Sequence, residues 1–109
     1  MPALLLRDAE ISRIESTGFP LGMFCEARFD VHRLQLAPGE SLLLYTDGVT
    51  EARGASQAEY GLERLTHQAR ESRGLSPQAL AAACLTNVAA FRGGASHTDD
   101  VSLMVVRRA

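Results

Sequence analysis

The sequence has 109 residues, which is enough for one modest domain and too few for two. It is 46% hydrophobic and 22% charged, as is usual for folded proteins, and its formal net charge is -2. This balance excludes a broad basic surface, so no nucleic-acid partner is expected. The cysteines, Cys25 and Cys84, lack Cys-x-x-Cys spacing, which argues against a disulfide framework or a zinc site.

The first apolar run, Leu4 to Leu6, ends at once at Arg7 and Asp8. It is too short for a signal peptide or a membrane span, so we expect a cytoplasmic protein without membrane contact. Apolar runs and alternating patterns then predict most of the first half as strands. In chain order these are strands over 2–7, 10–16, 28–36 and 42–45, with a loop over 17–23 and a tight turn over 37–40.

The turn at 37–40 predicts that the strands on either side of it, 28–36 and 42–45, form an antiparallel hairpin. The second half is mainly helical, with a short helical turn within 49–54 and helices over 61–73 and 76–92. An apolar strand over 101–108 closes the chain and is expected to pair with, or lie beside, the 42–45 strand. The fold class is therefore a layered α/β (α+β) domain, an antiparallel sheet with a helix pair on one face.

The buried strand at Leu42–Tyr45 stops at Asp47-Gly48, and Asp99 and Asp100 begin the last strand. If these strands are antiparallel neighbours, the carboxylates meet at one rim of the sheet, where their repulsion favours a bound cation. All-oxygen sites of this kind suit Mg²⁺ or Mn²⁺. The alternative is that each aspartate only ends a strand in a turn or caps a helix and faces water.

Several segments, in this order along the chain, together resemble one family. They are "PALLLR", "TGFPLGM", "LAPGESLLLYTDGVTEAR", "YGLERL", "LSPQAL" and "TDDVSLMVV". This series closely resembles the C-terminal half of the metal-dependent PP2C-like serine/threonine phosphatases, in the bacterial branch typified by the sporulation phosphatase SpoIIE and the stress-response phosphatase RsbU. The resemblance covers nearly the whole chain, so residues 1–109 are interpreted as a single partial PP2C-like domain.

The resemblance assigns metal ligation to Asp47, the aspartate of the Thr-Asp-Gly motif, and to Asp99, the first of the Asp-Asp pair. It places Gly48 where a side chain would crowd the site, and Asp100 beside the ligands rather than among them. Glu51 matches no ligand and is interpreted as a solvated residue in the first turn of a short helix. His97, in the loop before Asp99, is the one histidine placed where it could touch substrate. No catalytic residue separate from the metal ligands is implied.

The implied activity is hydrolysis of phosphoserine or phosphothreonine on a protein, by a water molecule that Mn²⁺ or Mg²⁺ activates in a two-metal site. In this branch the substrate is often an anti-sigma-factor antagonist. The family's N-terminal half carries an Asp-x-x-Gly-His-Gly segment with the bridging ligand, and no such segment occurs here. We therefore expect this C-terminal portion to be inactive alone, with sheet left uncovered and available for self-association. The alternative is a non-catalytic truncated module with a structural or protein-binding role.

Overall fold

The computed structural model describes residues 2–7, 10–15, 33–93 and 100–109. Over these residues it contains strands β1 (Ala3–Arg7), β2 (Glu10–Ile14), β3 (Ser41–Tyr45) and β4 (Leu103–Arg107), and helices α1 (Asp47–Thr50), α2 (Gly61–Ser72) and α3 (Pro77–Arg92). The described strands form one antiparallel sheet in the order β2-β1-β3-β4. The predicted fold class is confirmed. The predicted loop over 17–23, residues 28–32 and the site residues His97 and Asp99 lie outside the described residues.

Strand β3 occupies an inner position of the sheet, with β1 on one side and β4 on the other. The register pairs Leu43 with Leu4 of β1 and with Val105 of β4. Pairing of the last strand with the 42–45 strand is therefore confirmed. This arrangement also brings the end of β3 next to the start of β4, because antiparallel neighbours run in opposite directions.

The predicted hairpin between 28–36 and 42–45 is wrong as far as the structure describes those residues. Residues 33–36 are not a strand, and both edges of β3 are paired with other strands. The tight turn exists, since Glu40 N donates to Ala37 O at 3.0 Å. Its outward groups, however, bind the C-terminal strand: Gly39 N donates to Arg108 O at 2.8 Å, and Arg108 N donates to Glu40 O at 3.2 Å. The turn thus delivers the chain into β3 without pairing the segment before it.

Helix α3 begins and ends where its capping residues predict. The side chain of Ser76 accepts a hydrogen bond from Ala79 N at 3.2 Å, and Pro77 occupies the first turn. Gly93 closes the helix in the left-handed conformation, at a φ of 60°. Helix α2 likewise matches its predicted range. Helix α1 begins at Asp47, earlier than the predicted turn within 49–54.

The helix pair packs against one face of the sheet and forms the core there. The buried residues of this core are Leu4, Leu6, Leu43, Val49, Ala52, Tyr60, Leu65, Ala69, Leu80, Cys84 and Val88. Burial raises the pKa of the Cys84 thiol to about 11, so it remains a neutral, packed group at physiological pH. Cys84 thus acts as a small core residue. No helix in the described ranges is long and apolar enough to cross a membrane.

The opposite face of the sheet is apolar, and the described residues leave part of it exposed. Leu44 is 39% exposed, Met104 58% and Val106 44%. The register places Leu44 opposite Met104 and Leu42 opposite Val106, so these side chains share one face. We call Leu44, Met104 and Val106 the uncovered patch. An uncovered sheet surface was expected from the sequence, and within the described residues it is present.

Adjacent leucines of β3 test this division of the sheet into two faces. Leu43→Ala should lower the free energy of unfolding by about 3 kcal/mol, because Leu43 is fully buried and a cavity would remain. Leu44→Ala is the matched control and should cost about 1 kcal/mol or less, because its side chain already meets solvent. Urea denaturation followed by circular dichroism measures both. Equal costs would contradict the assignment of the core to the helix side.

Candidate metal centre

Asp47 lies at the point where the chain leaves β3 and enters α1. Thr46 still has extended backbone angles, with φ -100° and ψ 166°, and the helix begins directly after it. Thr46 O accepts from Val49 N at 2.9 Å, and Asp47 O accepts from Glu51 N at 2.8 Å. The Asp47 side chain is exposed. The strand-to-helix turn therefore presents this carboxylate to solvent, and the carbonyl oxygens of Thr46 and Asp47 are hydrogen-bonded within the turn.

The end of β3 is tied to the start of β4 through Thr46. Its hydroxyl accepts a hydrogen bond from Ser102 N at 3.0 Å and donates one to Asp100 O, also at 3.0 Å. The Thr46 backbone N–H adds a third link, donating to Ser102 O at 3.0 Å. One residue next to Asp47 thus fixes the backbone of Asp100. The predicted meeting of the two strand ends is therefore confirmed for the backbone, while the meeting of the carboxylates stays a prediction.

Gly48 brings the two segments into direct contact. A β-carbon built at this position would lie 2.1 Å from Asp100 O and 2.8 Å from Asp100 C. Both are backbone atoms, which cannot move aside as a flexible side chain can. The glycine is buried and is required by this close approach, not by an unusual φ. Without a side chain here, the chain can pass directly beneath the start of β4.

The loop that carries Asp47 is anchored from behind by the core. Val49 and Ala52 are buried, and Ala52 O accepts a hydrogen bond from Tyr60 N at 2.6 Å. The Tyr60 hydroxyl donates to Asn87 Oδ1 on α3. Burial is the main cause that raises the pKa of Tyr60 to about 12, so the hydroxyl remains a neutral donor. The rim is therefore held by the helix layer as well as by the sheet.

Tyr45 and Thr46 are site residues that the sequence interpretation did not assign. The Tyr45 hydroxyl donates to Pro2 O and so ties the start of the described chain to the end of β3. Burial raises the pKa of Tyr45, Arg13 lowers it, and the carboxylates of Glu15 and Asp47 raise it further. The negative charge of Asp47 thus acts on the phenol beside it. The position of Thr46 directly before Asp-Gly was the available signal for its role.

Of the predicted site residues, the structure brings together Asp47, Gly48 and Asp100. Asp99 and His97 lie outside the described residues, so common ligation by Asp47 and Asp99 stays a prediction. Glu51 is exposed, as expected, but lies at the C-terminal cap of α1 and not in its first turn, because the helix begins earlier than predicted.

The chemistry of the rim fits a hard divalent cation. Asp47 and Asp100 are both exposed, and carboxylate oxygens are the donors that Mg²⁺ and Mn²⁺ prefer. The part of the chain that the structure describes contains no group of three or more His, Cys, Asp or Glu side chains placed to hold a metal ion. Asp99, the second predicted ligand, lies outside that part.

Comparison with protein families identifies one family for this chain. The model of the family described as stage II sporulation protein E (SpoIIE) matches residues 1–109. Protein IcfG from Synechocystis sp. is 40% identical over 65 residues, which are 59% of this chain and 10% of that protein.

Solved structures agree with the fold. The SiaA-PP2C domain of Pseudomonas aeruginosa matches with a TM-score of 0.78 at 20% identity, over 99% of this chain and 43% of that one. The phosphatase domain of SpoIIE from Bacillus subtilis, presoaked with Mn, matches with a TM-score of 0.66 at 22% identity, over 99% of this chain and 46% of that one. The chain thus spans less than half of these two solved chains and a tenth of the curated relative.

The contact at Gly48 gives a sharp test of the rim. Gly48→Ala should lower the free energy of unfolding by at least about 2 kcal/mol, because the new methyl group overlaps backbone atoms of Asp100. Gly74→Ala is the matched control: a β-carbon there meets nothing within 4 Å, and the stability should change little or rise slightly. Chemical denaturation of both variants measures their free energies of unfolding. Equal stability of the two variants would mean that Gly48 does not lie against Asp100.

Proposed function

Because the chain belongs to the SpoIIE family, we propose that it is the C-terminal part of a metal-dependent protein serine/threonine phosphatase. The observation that carries the proposal is the junction of Thr46 and Gly48 with the Asp100 backbone. It brings the end of the Thr-Asp-Gly strand and the start of the Asp-Asp strand to one exposed rim. This meeting of two motifs that are far apart in sequence supports the proposal, because a phosphatase of this family needs carboxylates from both motifs at one place.

Each residue at the rim has a separate proposed role. Asp47 and Asp99 bind Mn²⁺ or Mg²⁺, and Asp100 stands beside them and contributes negative charge without binding directly. Gly48 allows the close approach, and Thr46 fixes the distance between the strand ends through its two hydroxyl bonds. When bound, the cations would lower the pKa of a water molecule and offset the charge of the phosphate. The Mn-presoaked SpoIIE domain supports manganese as the cation.

The proposed substrate is a protein that carries phosphoserine or phosphothreonine, with an anti-sigma-factor antagonist as the leading candidate. This rests on the family branch alone, and so does a cytoplasmic location. Asp47 is exposed, which is what a macromolecular substrate needs if its phosphate is to reach the rim. His97 is proposed only as a neighbour of the substrate.

We also propose that the 109 residues alone do not complete the site. A two-metal site needs a bridging carboxylate, which the family carries in the half that this chain lacks. The second candidate function is a non-catalytic module that acts by binding another protein. The uncovered patch of Leu44, Met104 and Val106 favours it, because exposed apolar side chains clustered on a sheet commonly form interfaces.

Reconstitution tests the phosphatase proposal. The isolated chain should show no Mn²⁺-dependent hydrolysis of p-nitrophenyl phosphate or of a phosphoserine protein. Joining it to an N-terminal half with the Asp-x-x-Gly-His-Gly segment should produce turnover. In that protein Asp47→Ala and Asp99→Ala should each lower kcat by at least about 100-fold, since even residues that only support a metal ligand can cost that much.

Glu51→Ala is the matched control, because Glu51 is an exposed acid of the same segment without a proposed ligand role; its activity should equal that of the parent. Turnover by the isolated chain, lost in the same two variants, would show that the site is complete without the other half. If both substitutions leave the turnover of the joined protein unchanged, Asp47 serves only as a turn residue. A folded joined protein without turnover would favour the non-catalytic module.

A further inference from the structure

Strand β4 lies at one edge of the sheet. Within the described residues it pairs with β3 alone, so its outer row of backbone groups has no partner among them. Such an edge is a template for another strand. Lysine or proline commonly blocks edges of this kind, and β4 reads Leu-Met-Val-Val-Arg. Arg107 is therefore the one residue of β4 that could oppose pairing.

The hydrogen bonds to β3 define which groups of β4 point outward. Ser102 O accepts from Thr46 N, and Arg108 N donates to Glu40 O, so the even-numbered positions bond inward. Because the direction alternates along an antiparallel ladder, the backbone groups of Leu103 and Val105 point outward. The outer edge therefore offers donors and acceptors at regular spacing, ready for an antiparallel partner.

The two ends of this edge carry opposite charges. Asp100 precedes β4 and Arg108 follows it, and both residues are exposed. Both are even-numbered, as Met104 is, so they lie on the same side of the sheet as the uncovered patch. Arg108 already donates from Nη1 to Leu36 O at 2.9 Å, which leaves other guanidinium donors available.

The charged residue within β4 does not interfere with pairing. Arg107 is turned to the helix side, where its Nε donates to Ser41 Oγ at 2.7 Å and its Nη1 to Leu75 O at 2.6 Å. Its positive charge is thereby held beneath the sheet and away from the uncovered patch. The edge and the uncovered patch next to it remain apolar from Leu103 to Val106.

We propose that two copies of this chain associate by antiparallel pairing of their β4 edges about a two-fold axis at Met104. Each residue then lies opposite the residue of the second copy that is equally far from Met104 in the other direction along the chain. Leu103 therefore exchanges hydrogen bonds with Val105 of the second copy. In the same register Asp100 lies opposite Arg108 of the second copy, at a position where Cα atoms are about 4.5 Å apart.

The register is selected by these charges. A two-fold axis at Leu103 or at Val105 would also allow the backbone hydrogen bonds. In those registers, however, Asp100 would no longer lie opposite Arg108 of the second copy. With the axis at Met104, both salt bridges form, one at each end of the paired edge. The uncovered patches of the two copies then meet at the Met104 side chains and become continuous. A second copy of the chain therefore fits this edge in charge and in hydrogen-bond spacing.

Charge reversal tests the register directly. Sedimentation velocity over a range of concentrations should show a monomer–dimer equilibrium for the unmodified chain. Asp100→Arg and Arg108→Asp should each raise the dimer dissociation constant by about tenfold, because two attractive cross-strand pairs become repulsive. An equimolar mixture of the two variants should associate as the unmodified chain does, since both pairs are attractive in the heterodimer. Native mass spectrometry identifies that heterodimer.

Two further variants separate edge pairing from packing of the uncovered patches. Val105→Pro removes an outward N–H and should abolish association while the circular dichroism spectrum is retained, since proline is tolerated where the N–H faces outward. Leu44→Glu changes the uncovered patch on β3 but leaves the β4 edge intact, and its association should persist. Loss of association in Leu44→Glu but not in Val105→Pro would overturn the proposal in favour of face-to-face packing. So would a strict monomer, or charge variants that associate like the unmodified chain.

Discussion

The contact between Gly48 and the backbone of Asp100 is the constraint on which the rest of the rim depends. A β-carbon at Gly48 would lie 2.1 Å from Asp100 O, so the two segments approach as closely as their backbones permit. Thr46 then closes the junction with hydrogen bonds to Asp100 and Ser102. The partners of the Thr46 hydroxyl are backbone groups of the segment that leads into β4, so one short side chain fixes the position of Asp47 relative to the second strand.

The sheet that carries this junction has two different faces. Strand β3 lies between β1 and β4, and its pairing with β4 brings its end to the start of that strand. One face of this sheet is then filled by the helix pair, where Leu43 is fully buried. The other face keeps Leu44 and Met104 exposed within the described residues. The same sheet thus carries the rim at one end of β3 and an exposed apolar face among the described residues.

Sequence reasoning succeeded where the controlling interaction is local. Ser76, Pro77 and Gly93 predict the ends of α3 because each acts within one helical turn. It failed for the hairpin at 37–40, because a turn signal says nothing about which distant strand takes the free backbone groups; here Arg108 does. The role of Thr46 was also hidden, because its hydroxyl partners lie in another strand.

The meeting of the two strand ends was predictable for a different reason. An aspartate followed by glycine after a buried strand, with a second acidic pair before another strand, points to a rim only if the strands are neighbours. That condition is tertiary, and β3 and β4 meet it. The exposure of Met104 and Val106 could not be read from their pattern, since an apolar strand looks the same whether its second face is covered or not.

Shared ligation of one cation by Asp47 and Asp99 is the central claim, and anomalous diffraction tests it most directly. Crystals of the chain joined to its complementary half and soaked in Mn²⁺ should show a manganese peak at the rim. Carboxylate oxygens of both aspartates should lie roughly 2.1 Å from it, a distance usual for a small divalent cation. A manganese peak remote from Asp47, or carboxylates of Asp47 and Asp99 on opposite sides of the domain, would contradict the account.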